Sequence, residues 1–276
     1  MPRATAMPTG RRFERLWCFL ALLALAAPSP VRGEPATLDV PADSAELRRQ
    51  VAEYDRRIAA APERAENYLK RGEAHFRLQN FDQAIDDFSA ALKRDDRLDD
   101  AYFGRGMALG RRGQVGEGIA DLGVYLERRP DSSLAYTKRG VRHLWNGDQE
   151  SAEKDLRRAI ALDPRNAEAH DDLGVILAQR GEFDAAIGHF RATLKAEPSY
   201  HKAHHNLAMV YYITGENRLA LASVDAALKL AGESRDSMLL KATILEALGR
   251  HTEAKVTREE AEFLPEGNRS ERAAVQ

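Results

Sequence analysis

Small residues recur along this chain every 34 positions, and a period of that length restricts a chain to a stack of similar units. Glycines stand at Gly113, Gly147, Gly181, Gly215 and Gly249. A second series, Gly72, Gly106, Gly140, Gly174, Ala208 and Ala242, admits only glycine or alanine. A third, Ala84, Gly118, Ala152, Ala186, Ala220 and Ala254, follows it twelve residues later. None of the three is interrupted by an insertion. Glycine and alanine at fixed intervals let two helical backbones approach, where a larger side chain would hold them apart. Gly113 and its equivalents mark the turn of each helical hairpin, because glycine takes the left-handed conformation that ends a helix at little cost. Pro130, Pro164 and Pro198 fall where a second helix stops or the next first helix opens.

Composition agrees. Alanine, leucine, arginine and glutamate dominate and β-branched residues are sparse, so intrinsic propensity favours an all-α chain. At 276 residues and 43% hydrophobic content the chain has enough apolar side chains for a core. Large residues fill slots complementary to the small ones: Tyr68, Tyr102, Tyr136, His170, His204 and Met238 early in each unit, and Phe88, Leu122, Leu156, Phe190 and Val224 on the second helices.

This combination resembles the tetratricopeptide repeat family. The likeness is carried by Lys70-Arg71-Gly72, Asn80-Phe81-Asp82-Gln83-Ala84, Gly181-Glu182-Phe183-Asp184-Ala185-Ala186 and Leu162-Asp163-Pro164, and spans about residues 65 to 264. It implies an all-α, right-handed superhelical solenoid of antiparallel helix hairpins. The repeats expected are 65–98, 99–132, 133–166, 167–200, 201–234 and a capping unit at 235–266. The family's frequent early tryptophan is Tyr, His or Met here, and the boundary proline is lost at Asp96 and Gly232. Arg258 replaces the large apolar residue of the last second helix, giving the polar outer face that ends a solenoid. Ahead of the first repeat, Leu47, Val51, Tyr54 and Ile58 form an apolar stripe, with Asp43 and Glu46 spaced as a capping box, which predicts a capping helix within 43–64. Residues 34–42 and 267–276 lack periodicity and are expected to be disordered.

The N-terminus reads as an export signal. Arg11, Arg12 and Arg15 precede an uncharged run from Leu16 to Ala27, then Pro28, Pro30 and Val31-Arg32-Gly33. The run is shorter than the roughly 20 residues a helix needs to cross hydrocarbon. Cleavage after Gly33 and release, most simply into a bacterial periplasm, is expected; the alternative is an anchor formed by residues 16–27. No second apolar stretch follows, so no further membrane contact is expected.

Charge and cysteine exclude several activities. The chain carries −2 formally, and because its first 33 residues hold five arginines and one glutamate, the remainder is mildly acidic. That offers nothing to a nucleic-acid backbone. The single cysteine, Cys18, lies in the leader, so the folded part has no disulfide, thiolate ligand or cysteine nucleophile. No Gly-x-Ser-x-Gly, His-Glu-x-x-His or phosphate-loop pattern occurs, and Gly104-Arg105-Gly106 lacks both the third glycine and a preceding strand. No catalytic residue and no cofactor are expected.

A protein or peptide partner is the expected ligand. The family resemblance implies that positions 2, 5, 9 and 12 of each first helix face an inner groove. Read off in this sequence they include Leu69, Glu73, Phe76, Phe103, Met107, Val141, Leu144, Asp171, Val175, His205, Met209 and Tyr212, an apolar centre with an acidic rim. Of these, Phe76, Phe103, Met107, Val141, Leu144, Met209 and Tyr212 are expected to show apolar area to water, which an amphipathic segment with basic flanks would cover. The family's carboxylate clamp is not expected: Lys202 and Asn206 fit, but Asp171, Val175, Asp236 and Leu240 do not. A small-ligand or metal site on His205 and Asp171 is the alternative. Against it, His204 takes the aromatic slot and His201 starts the helix, which predicts one packed and two surface histidines. The acidic run Asp95 to Asp100 lacks a calcium loop's glycine and final glutamate. Seven glycines between Gly104 and Gly123 predict a soft second repeat, each interior glycine costing up to about 1 kcal/mol against alanine.

Overall fold

The structure, a computed structural model, describes residues 44–264, and the export signal, Asp43 and both expected disordered ends lie outside the described residues. Thirteen helices and no strand occur among the described residues. They are α1 (Ser44–Ala60), α2 (Ala65–Arg77), α3 (Phe81–Arg94), α4 (Asp99–Arg111), α5 (Val115–Arg128), α6 (Ser133–Trp145), α7 (Gln149–Leu162), α8 (Ala167–Gln179), α9 (Phe183–Ala196), α10 (His201–Thr214), α11 (Asn217–Ala231), α12 (Arg235–Ala247) and α13 (His251–Glu262). The fold is an all-α helical-repeat solenoid. Its described part divides into two compact units, residues 44–169 and 170–264, with the division falling inside α8.

Each hairpin turn is built on one left-handed residue. Gly113, Gly147, Gly181, Gly215 and Gly249 have φ between 75° and 88°. Gln79 occupies the same place in the first hairpin at φ 59°. There Gln79 N–H donates to Phe76 O at 3.0 Å and Asn80 N–H to His75 O at 2.9 Å, the pair of bonds that Gly113 and Gln114 repeat to Gly110 O and Leu109 O. Those bonds satisfy carbonyls that the end of a helix leaves open.

The small residues stand where two backbones meet. A Cβ on Gly106 would lie 2.9 Å from Gly118 O, and one on Gly118 2.8 Å from Gly106 O. Two further glycines of the same repeat make room for neighbours: a Cβ on Gly104 would strike the Phe88 ring, and one on Gly110 would come 2.8 Å from Arg142 Nε. Four of the glycines that predict softness are therefore spaces filled by packing. Phe88, Leu122, Leu156, Phe190 and Val224, the large residues of the second helices, are almost wholly buried.

In residues 44–169 a second pattern runs at the same period. Arg71, Arg105 and Arg139 of the first helices each hold Asp87, Asp121 and Asp155 of the following second helix through two parallel bonds. The distances are 2.7 and 2.8 Å for both Arg105 and Arg139. All three carboxylates are buried. Hydrogen bonding to aspartate holds each guanidinium above its ordinary range. The same arginines lie over Tyr68, Tyr102 and Tyr136. A second arginine reaches back to a turn carbonyl: Arg94 to Pro62 O at 2.6 Å and Arg128 to Asp96 O at 2.8 Å. Each hairpin is thus tied internally and to the turn before it.

Candidate partner-binding faces

In residues 44–169 the first helices α2, α4 and α6 present the positions expected to face a groove. Four expected exposures need correction. Phe76, Val141 and Leu144 here, and Met209 in residues 170–264, are buried, as is Leu69. Phe76 sets its ring edge-on to Phe81 at 5.5 Å, so the hairpin itself consumes it. An apolar side chain within reach of a neighbouring helix gains about 25 cal/mol per Å² by packing there instead of facing water.

What remains accessible is narrower. Phe103 is half-buried, with its ring 5.2 Å from Tyr125, and Met107 is half-buried at the edge of the core around Phe88. Around them by register stand carboxylates: Glu66 and Asp100 are exposed, and Glu73 is half-buried beside Lys70 Nζ at 2.9 Å. Leu134, at the equivalent position of α6, is 52% exposed. One turn further along α6, Lys138 is clamped by both oxygens of Glu168 at 2.6 Å. Periodicity did not reveal that pair, because it joins different repeat positions.

In residues 170–264 the positions expected to face a groove behave differently. Val175 and Tyr212 are half-buried. Asp171 is buried and accepts a bond from Asn206 Nδ2 at 3.1 Å, so it is not an open rim residue. His205 Nδ1 meets Ser237 Oγ at 2.9 Å, and His204 Nε2 meets Pro198 O at 3.3 Å, as Tyr68 OH does Pro62 O. None of His201, His204 and His205 is exposed, which corrects the expectation of two surface histidines; burial holds His201 and His205 below the ordinary imidazole range. Among the described residues no three His, Cys, Asp or Glu side chains gather as a metal set, and no helix is long and apolar enough to cross a membrane.

Stacked helical hairpins with conserved turn geometry and no assembled reaction centre among the described residues define a helical-repeat scaffold. A family model described as tetratricopeptide repeat matches residues 69–133, 137–201 and 205–255, well over half of the chain. The chain belongs to the tetratricopeptide repeat family, whose repeats generally mediate protein–protein interaction and are generally non-catalytic.

Among solved structures it is similar to a tetratricopeptide repeat protein from Parabacteroides merdae, at 15% identity and a TM-score of 0.64 over 96% of this chain and 98% of that one. It is similar to MamA at 25% identity and a TM-score of 0.53, over 60% and 90%. It also matches a chain of the APC/C hetero-tetramer Cut9-Hcn1 at 18% identity and a TM-score of 0.63, covering 79% of this chain but only 46% of that one. The chain thus spans less than half the length of that last protein. No curated protein matches it in sequence.

Proposed function

We propose that this chain is a non-catalytic scaffold that works after export and binds a segment of a partner protein on the inner faces of its first helices. The observation that carries the reading is the pair Phe103 and Met107 on α4, one turn apart and partly open, with Glu66, Glu73 and Asp100 on the same run of helices. A partner segment suited to that strip puts one or two large apolar side chains on α4 and lysine or arginine on either side. The apolar contact supplies affinity, and the acidic rim supplies orientation and a faster encounter.

The test is binding of fluorescent peptides that pair apolar and basic residues, followed by capture of partners on the immobilised protein. Phe103→Ala with Met107→Ala is expected to weaken peptide binding about tenfold or more. Asp100→Asn with Glu66→Gln is expected to weaken it less and to flatten its dependence on salt. Unchanged binding in both variants, with unchanged melting, would move the site off the first helices. Export is tested by expressing the full chain and asking whether the product in the periplasmic fraction begins after Gly33; product confined to the cytoplasm would remove that part of the proposal.

A further inference from the structure

The repeat register shows what one pair of positions can do. In the third hairpin, positions 1 and 5 are Ser133 and Thr137, one turn apart on α6. Asn166, at position 34, places Nδ2 at 2.8 Å from Ser133 Oγ and 2.9 Å from Thr137 Oγ1. Side chains at positions 1 and 5 therefore converge on a single atom lying between them.

In the fifth hairpin the same two positions are His201 and His205, and position 34 is Ser234. Ser234 cannot fill the role of Asn166: its side chain is shorter, and its Oγ accepts from Ser237 N–H at 3.3 Å to cap α12. His201 Nε2 is enclosed and has no hydrogen-bond partner. A buried ring nitrogen left in that state calls for a bound species. His205 is oriented from behind by Ser237 Oγ at 2.9 Å from Nδ1; the tautomer that donates Nδ1–H to that oxygen leaves the Nε2 lone pair free. Such outer support is the usual companion of a histidine ligand.

We propose that His201 and His205 form a two-imidazole chelate for one divalent transition-metal ion, with water completing its coordination. Two histidines four residues apart on one helix face can reach a common ion, as in other helical metal sites, at nitrogen distances of about 2.0–2.1 Å for zinc. Imidazole nitrogens select zinc, nickel or copper over magnesium and calcium, which prefer oxygen. The site shares no residue with the Phe103 and Met107 strip, and its test is independent of peptide binding.

Titration calorimetry of the untagged full chain with zinc chloride is expected to show one binding event, absent with magnesium chloride. His201→Gln and His205→Gln should each weaken it about tenfold or more. His204→Gln, whose ring is engaged with Pro198 O, should leave it within about twofold. No heat with zinc, equal heat with magnesium, undiminished binding in the His201→Gln/His205→Gln double variant, or an equal loss from His204→Gln would each overturn the chelate. Melting curves of the metal-free variants show which are folded; should His205→Gln fail to fold, His201→Gln, at the first residue of α10, decides.

Discussion

In residues 44–169 every hairpin closes on an arginine and an aspartate, whereas in residues 170–264 the arginine positions hold Leu173, Leu207 and Lys241 and the aspartate positions hold His189, Ser223 and Thr257. The backbone plan is the same in both. Leu173 and Leu207 are buried, so dispersion and burial do in the later hairpins what a bidentate ion pair does in the earlier ones. The fourth hairpin goes furthest: His170 replaces tyrosine, and His170 Nδ1 lies 2.8 Å from His189 Nδ1, an imidazole–imidazole contact where the earlier hairpins have an ion pair. Lys241 pairs instead with Asp225, outside the register and near the surface. One helical geometry thus accepts two interiors. The ionic one penalises loss of a single partner, because the other charge is then left buried.

The largest expected effect follows directly. Asp155→Ala leaves Arg139 without its carboxylate and is expected to destabilise residues 44–169 by about 2–3 kcal/mol, below the range for fully buried pairs because Arg139 keeps some access to water. His189→Ala in the later unit should cost about half as much, since no charge is stranded. Urea denaturation of both variants measures the difference. Equal losses would mean that the ion pair is no more than a hydrogen bond.

A concerted exchange sharpens the same point. Replacing Tyr136, Arg139 and Asp155 together by His, Leu and His gives the third hairpin the interior of the fourth. Removing both charges at once avoids the stranded ion, so the triple variant is expected within about 1 kcal/mol of the parent, well above Asp155→Ala in stability. Additive losses from the three changes would show that the surrounding helices, not the pair, dictate the chemistry.

Much of this was legible in the residues and some was not. The 34-residue period placed the turns and the close approaches because glycine and alanine leave a recognisable mark in each unit. Gln79 left none: it takes a left-handed φ of 59° without being glycine, and only its register with Gly113 gives it away. The Arg71, Arg105 and Arg139 series was present in the sequence at the same period, yet a search for small and large residues passes over charge. The exposure of the positions expected to face a groove was the least legible. Phe76, Val141, Leu144 and Met209 share the helical spacing of Phe103 and Met107, and spacing alone does not distinguish a stripe covered by a neighbouring hairpin from one left open.

The smallest expected effect concerns acid. His75 sits beside the first ion pair, with Nε2 3.9 Å from Asp87, and its pKa is lowered, first by burial and next opposed by Asp87, with Arg71 lowering it and Asp55 raising it. A histidine whose folded pKa lies below its unfolded value binds fewer protons when folded. Stability is therefore complete above about pH 6.5 and declines as pH falls from there toward the lowered folded value. His75→Gln removes that proton. The variant should hold its urea midpoint between pH 7.5 and 5.5 better than the parent, and the gap should widen toward the acid end. A gap that narrows instead would mean that Asp87 outweighs burial and raises the folded pKa, and the ion pair would then attract a charged histidine where the present arrangement keeps it neutral.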